Sequence, residues 1–250
     1  MKSPPPFKDH FSGEASAYEK YRPRYPRELF AWLAANSPRR NLAVDVATGN
    51  GQAAIALAEY FNEVVATDAS ASQLAAAKPK PRVRYQREPA ERISLPDSSV
   101  DLVASAQAAH WFDWPAFTAE ACRVLRPGGL LAIWSYRDFV AQDEIERLVH
   151  EFSREVVGPY WPRERRHVEE CYRGLELPFL ECATPSFEMR ADWDCESVLG
   201  YIGTWSAVQR CRKRSGRDPI ALLAPPLRRA WGAGTRSIRW PLTLKACCRL

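Results

Sequence analysis

Short apolar runs and longer amphipathic stretches alternate along the first half of the chain. Leu42-Ala43-Val44-Asp45-Val46 is apolar except for Asp45, the pattern of a strand covered on both faces. Val64-Val65-Ala66-Thr67, ending at Asp68, predicts a second strand, Arg82–Gln86 a third and Val100–Ser105 a fourth. Pro127-Gly128-Gly129 reads as a turn into a fifth, Leu130–Ser135. Between them, 53–60, 71–77 (capped by Ser70) and 115–125 have helical spacing. Upstream, 14–21 reads as helix, and Arg27–Asn36 as another, with Pro26 at its start and Leu29, Phe30 and Leu33 along one face. Strands alternating with helices in this way predict an α/β, Rossmann-like, doubly wound and mostly parallel sheet.

After Tyr136 the rhythm breaks. A helix is expected over 144–157, then a stretch rich in Pro, Trp and Arg, a sixth strand near Ser186–Arg190, helices near 196–210 and 219–231, and a last strand over Ser237–Lys245. That makes seven strands, the last expected antiparallel. No Gly/Ser tract divides the chain, so residues 1–250 are expected to form one domain. Within it, 1–37 would be an N-terminal helical cover, 40–137 the core, and 138–250 a helical lid and the closing strands.

Composition changes this picture little. The 250 residues are 46% hydrophobic and 26% charged, ordinary globular values that exclude a disordered or collagen-like chain. No apolar run approaches the roughly 20 residues that cross a bilayer, so no membrane partner is expected. Seven cysteines without C-x-x-C spacing suit reduced thiols in a cytoplasmic protein, and no metal site is expected. The net charge of +5 is uneven: the residues from Trp205 onward hold eleven Lys/Arg against the single acid Asp218. Such an end could meet an anion, but a solvated face is the commoner use and a nucleic-acid partner is not expected.

Candidate chemistry begins where the first strand runs into Thr48-Gly49-Asn50-Gly51 and a helix. Glycines at this spacing let a ligand approach the backbone, and the helix behind them favours a polar or anionic group. Asp68, ending the second strand, is placed to accept the hydroxyls of a ribose. Nicotinamide and flavin sites use G-x-G-x-x-G around a pyrophosphate. Here Asp45 precedes the glycines, and its charge would suit an ammonium better than a pyrophosphate.

Asp45 to Gly51 resembles the D-x-G-x-G-x-G motif of class I S-adenosylmethionine-dependent methyltransferases, with Ala47 in place of the first glycine, a change expected to cost only local room. Asp68-Ala69-Ser70 with Gln73 resembles the second motif, and Ala90-Glu91 before Leu95-Pro96-Asp97 the third, with Pro89 where an Asp is usual. Arg123–Gly129 resembles the turn before the fifth strand. Tyr18–Pro26, Gln107–Phe112 and Tyr201–Ser206 resemble a small-molecule subgroup like the trans-aconitate methyltransferases. The resemblance implies S-adenosyl-L-methionine as cofactor and a small-molecule acceptor, methylated on a carboxylate or hydroxyl oxygen. It implies cofactor contacts from Arg22, Asp45, Ala47, Gly49, Asn50, Gly51, Asp68, Ala69, Gln73, Ala90, Glu91 and Gln107. His110 and Trp111 become the candidate catalytic pair, His110 as acid/base or as the group that orients the acceptor. His110 reads equally as a hydrogen-bonded loop histidine, and Trp111 as core. Arg22 could pair with a carboxylate or with a surface acid. A nucleic-acid methyltransferase using the basic C-terminal region, and a non-catalytic binding protein on the same fold, remain alternatives. Oligomeric state is not legible.

Overall fold

The structure is a computed structural model that describes residues 21–174 and 177–250. The helix expected over 14–21 therefore lies outside the described residues except for Tyr21. Among the described residues one eight-stranded sheet organises the chain, in the order β3-β2-β1-β4-β5-β8-β6, with β7 also paired to β8. The strands are β1 (Leu42–Val46), β2 (Glu63–Asp68), β3 (Val83–Arg87), β4 (Val100–Ala106), β5 (Leu125–Tyr136), β6 (Leu180–Glu181), β7 (Phe187–Trp193) and β8 (Arg236–Cys248). β1 to β5 are mutually parallel where they pair, and β8 is antiparallel to β5, β6 and β7. The seven expected strands are all present, and the eighth is the two-residue β6.

The all-apolar character of the central strands follows from cover on both sides. Ala43, Leu102, Ala104, Leu130, Ala132 and Trp134 face helices α1 (Arg27–Ala35) and α2 (Gln52–Leu57) through Leu29, Phe30, Leu33, Ala53 and Leu57. The alternate residues Val44, Val46, Val65, Val103, Leu131 and Ile133 face the other side, where Phe117, Ala121 and Val124 of α4 (Trp114–Val124) pack. The helix α3 (Ala71–Ala75) joins β2 to β3, its first turn capped by Ser70, whose Oγ accepts from the Gln73 amide.

Several boundaries differ from expectation; the helix expected near 196–210 is two, Cys195–Gly203 and Ser206–Ser215, parted at Thr204 and Trp205. Pro127-Gly128-Gly129 is part of β5 and not a turn before it. The Gly128 amide donates to the Arg249 carbonyl and the Arg249 amide to the Gly129 carbonyl, so the chain's far end supplies the pairing. The helix expected over 144–157 stops as α5 (Asp143–Glu151), and Phe152–Val156 continues as a wider π turn.

A second layer of packing rises beyond the end of β5. β8 is 13 residues long, and only Leu242–Cys248 pair with β5. Its first half runs on past Tyr136 and pairs with β7. Around this ribbon lie α5, α7 (Cys195–Gly203), α8 (Ser206–Ser215) and α9 (Ile220–Trp231), while α6 (Arg165–Glu169) packs on the α4 side of the sheet through Val168. Tyr136, Phe139, Tyr201, Trp205, Trp231 and Trp240 belong to its core. The Trp240 ring lies 5.6 Å from Tyr201 and 6.0 Å from Phe139, edge to face.

The buried Asp101 side chain at the start of β4 ties three elements together. One carboxylate oxygen accepts from the amides of Asn41 and Leu42 at 2.9 and 3.0 Å, and the other lies 2.7 Å from Nε of Arg126 on β5. Asp101→Ala would leave two amides and the Arg126 guanidinium without that anion. A loss of about 2–4 kcal/mol in urea unfolding is expected, and a loss below about 0.5 kcal/mol would show that the carboxylate does not hold these strands together.

Candidate functional site

The strand order reverses between β1 and β4. From β1 the chain winds outward through β2 and β3, then returns to place β4 on the other side of β1. The loops after β1 and β4 therefore diverge and leave a crevice at the carboxyl edge, where open α/β sheets bind ligands. One wall holds Asp45, the 47–51 loop and Asp68. The other holds Gln107, His110 and Trp111.

Asp45 is 1% exposed. Its Oδ2 accepts from the Thr48 hydroxyl at 2.5 Å, and its Oδ1 has no hydrogen-bond partner among the described residues. Burial pushes the carboxyl up to about 7, against the hydrogen bonds from Thr48 and the Ala54 backbone, which lower it; the Asp68 charge raises it further. A buried carboxyl whose second oxygen lacks a hydrogen bond, balanced between its charged and neutral forms, is a receptor for a cation.

The loop over Asp45 turns through three left-handed residues, Ala47 (φ 56°), Gly49 (φ 59°) and Gly51 (φ 88°). Ala47 thus costs backbone conformation and not merely local room, because a Cβ is disfavoured there. A Cβ on Gly51 would fall inside the Tyr85 hydroxyl, which lies over the loop and donates to the Lys78 carbonyl. Asp68 fixes the loop from β2: one oxygen accepts from the Gly49 amide and the other from the Ser70 amide, each at 2.8 Å. Gln73 is buried, and its Oε1 would be 3.7 Å from a Cβ on Gly49. Asn50 is half-buried in the same loop and Ala69 follows Asp68 directly. Ala90 is buried farther along, and Glu91 accepts from the Asp113 amide at the start of α4.

Across the crevice Gln107 has φ 57°; its amide donates to the Trp134 carbonyl and its side chain to the Tyr136 carbonyl. β4 and β5 are thereby joined past the end of their ladder. His110 and Trp111 follow in a 3-10 turn, ring centroids 4.8 Å apart. His110 Nδ1 is 3.3 Å from the Tyr172 hydroxyl. Burial, then the charges of His167 and Arg165, lowers the imidazole to about 3, so His110 is neutral at physiological pH. Arg22 donates to the Tyr136 hydroxyl at 2.7 Å and stacks over Tyr201 at 5.4 Å. A cationic head is thus held among aromatic rings where the N-terminal segment meets the upper layer. Trp134 is wholly in the core, edge-on to Tyr25 and Phe30, as its strand position implied.

Sequence reasoning brings together Asp45, Ala47, Gly49, Asn50, Gly51, Asp68 and Gln73 on one wall, and Gln107, His110 and Trp111 on the other. It misses Tyr85 and Tyr172. Tyr172 lies 62 residues from the histidine it touches, in a segment without periodicity, and no motif marks it. Tyr85 sits in an ordinary strand pattern and gains meaning only from Gly51 beneath it.

The loop conformation makes a paired expectation. Ala47→Gly should be neutral or stabilising by up to about 1 kcal/mol, since the left-handed penalty goes while glycine's chain entropy is added. Gly51→Ala should cost about 1–3 kcal/mol in urea unfolding, through strain and overlap with Tyr85. The reverse order of the two variants would contradict this loop geometry.

Comparison with known proteins identifies the family. Residues 44–133 match the methyltransferase domain. A Dictyostelium discoideum protein named as a methyltransferase is 31% identical over 233 residues, covering 92% of this chain and 89% of its own length. A solved structure from Anaeromyxobacter dehalogenans, described as a type II methyltransferase, superposes with a TM-score of 0.86 at 43% identity, over 92% of this chain and 99% of that one. The YcgJ protein of Bacillus subtilis, at 18% identity and a TM-score of 0.54, shares the fold. The chain belongs to the class I S-adenosylmethionine-dependent methyltransferases, with S-adenosyl-L-methionine as its cofactor.

Proposed function

We propose that the chain methylates a small molecule on oxygen, with a carboxylate or hydroxyl as acceptor. What supports the reading is the reversal of strand order between β1 and β4, whose two sides carry different chemistry at the carboxyl edge. One wall holds a bare buried carboxylate oxygen, the other a neutral imidazole and an indole.

The residues fit the cofactor. Bare Oδ1 of Asp45 suits the ammonium of the methionyl end, directly or through water. Gly49, Asn50 and Gly51 give the backbone close approach, with Ala47 shaping the turn. Asp68, at the carboxyl end of β2 beside the glycine loop, is placed to receive a ribose diol. Ala69, Gln73, Ala90 and Glu91 would line the adenosine side, and Pro89 leaves the adenine edge to backbone groups. Bound there, the cofactor supplies a methyl group on a sulfonium, which is already a good leaving group. The protein's work is to orient the acceptor in line, exclude water and avoid adding positive charge nearby. A neutral His110 meets that last demand, and the Trp111 face can lie toward a cation. Arg22, among Tyr136 and Tyr201, would meet a carboxylate of the cofactor or the acceptor.

In this reading the chain acts as one domain. Residues 40–137 hold the cofactor, and 138–250 give the lid and closing strands. Part of the basic C-terminal region is committed to the fold: Arg212 pairs with Asp218, Arg228 with Glu196, Arg239 with Glu188, and Arg236 donates to the Trp231 carbonyl. That supports a small-molecule over a nucleic-acid acceptor. No helix among the described residues is long and apolar enough to cross a membrane, and no group of His, Cys, Asp and Glu among them could hold a metal ion.

Transfer of labelled methyl from S-adenosylmethionine to pooled carboxylic acids, phenols and RNA tests the acceptor. Label in the acid or phenol pool is expected, and label in RNA alone would refute it. Asp68→Ala should weaken S-adenosylhomocysteine by about 1.5–3 kcal/mol, the worth of a hydrogen bond to a charged group, measured by calorimetry. An unchanged dissociation constant would remove Asp68 from the ribose.

A further inference from the structure

Among the described residues Tyr172 is the buried phenol that reaches His110, and its position is costly. Past the end of α6 the chain turns through two consecutive non-glycine residues in left-handed conformation, Cys171 (φ 54°) and Tyr172 (φ 52°). Strain of this kind persists only where the surroundings over-determine it. Here the Tyr172 amide donates to the His167 carbonyl at 2.8 Å, the Thr243 hydroxyl donates to Cys171 Sγ at 3.6 Å, and the Tyr172 ring lies 6.0 Å from Trp114. The result is a side chain 1% exposed with its oxygen 3.3 Å from Nδ1 of His110.

Hydrogen-bond inventory then decides where the protons are. Among the described residues the Tyr172 hydroxyl has Nδ1 of His110 as its hydrogen-bond partner. Burial keeps the phenol protonated. A phenol has one proton to give, and the acceptor facing it is Nδ1. A neutral imidazole carries one ring proton, so an Nδ1 that accepts leaves that proton on Nε2. The charged and titratable groups facing the ring are Arg165 and His167 from α6. Arg165 is itself held by Asp138 and Glu169 and stacked on Trp161, and cations there disfavour a second proton on the imidazole.

We propose that Tyr172 is a positioning residue that locks His110 into the Nε2–H tautomer, so that His110 serves the methyl acceptor as a hydrogen-bond donor and not as a base. This rests on the reading of the crevice as a methyl-transfer site and chooses between its two acceptor oxygens. A carboxylate oxygen brings its own electron pair for the new O–CH3 bond. The pair of the breaking C–S bond stays on sulfur, and no proton leaves. Anion and sulfonium become a neutral ester and a neutral thioether. An alcohol would have to lose a proton that an Nε2–H imidazole cannot take. The acceptor class is therefore a small carboxylic acid, ionised on arrival and oriented by Nε2–H.

Two readouts test this on the full chain. In protein carrying 15N-histidine, long-range proton–nitrogen spectra report each ring's tautomer, with His110 assigned by its absence in His110→Gln. The expected result is a bare Nδ1 and a protonated Nε2, unchanged from pH 5 to 8 on the lowered titration of this ring. Tyr172→Phe should bring in the Nδ1–H form and raise the titration midpoint. An Nδ1–H ring in the native protein would overturn the assignment, as would a tautomer indifferent to Tyr172→Phe. The second readout is turnover of an acid found by the labelled-methyl screen. His110→Gln, whose amide NH2 stands in for Nε2–H, should stay within about tenfold of native, while His110→Ala loses about 10²-fold through lost orientation. A His110→Gln as inactive as His110→Ala would mean a base is required and would overturn the donor role. Methylation of alcohols but of no carboxylate, with the native tautomer as expected, would refute the acceptor class and leave the Tyr172–His110 assignment standing.

Discussion

Asp45 occupies the carboxyl end of β1, the strand with neighbours on both sides at the point where the sheet reverses its winding. A carboxyl group there gives up water on every side, and Thr48 and the Ala54 backbone offset only part of that loss. Burial therefore moves its titration to about 7. The loop above it is shaped by the same restriction. Three left-handed residues turn the chain back over the carboxyl, Asp68 clamps the Gly49 amide from the next strand, and Tyr85 closes over Gly51. This edge of the sheet is a set of groups arranged around one incompletely paired acid.

The opposite wall depends on chain that extends past the sheet. β8 is long enough to finish the β5 ladder and still offer a free-standing half to β7. The tryptophans and tyrosines gathered on that ribbon bury the upper layer, and Arg22 joins it to the N-terminal segment through Tyr136 and Tyr201. α6 then delivers Tyr172 to His110 across the end of β5. Burial lowers the histidine on this side and raises the carboxyl on the other, the same loss of water acting oppositely on a base and an acid, with the charges of His167 and Arg165 adding to the histidine's shift.

How much of this was legible in the sequence follows from the range of the interactions. β1, β2 and β4 and the glycine loop were readable because a twice-covered parallel strand is apolar throughout and a left-handed turn favours glycine, both local consequences. The start of β5 was misread because Gly128 and Gly129 have turn chemistry, while the partner that makes them strand, Arg249, lies at the other end of the chain. Ala47 looked like a mild substitution because its left-handed φ is invisible in the residue name. The upper layer left its strands and helices readable in outline, but Trp240, Tyr201 and Trp231 could be seen only as aromatics. Which of them meet is set by β7 pairing with β8 across more than forty residues. Tyr172 carried no signal, since its role depends on strained backbone and a distant histidine.

Carbon-13 spectra of the Asp45 carboxyl, with and without S-adenosylhomocysteine, test the reading most directly. The folded titration point lies above the unfolded value of 3.8, so the folded protein holds the extra proton between about pH 4 and 7 and loses stability from this group as pH rises through that window. A ligand ammonium favours the carboxylate and must lower the titration point. Below pH 7, affinity should then rise with pH by up to about tenfold per unit. The expected result is a midpoint near 7 in the free protein and a midpoint at least about one unit lower in the complex, matched by that gain in affinity. An Asp45 signal that titrates at the same pH with ligand bound would contradict the assignment of its bare oxygen to the cofactor's ammonium.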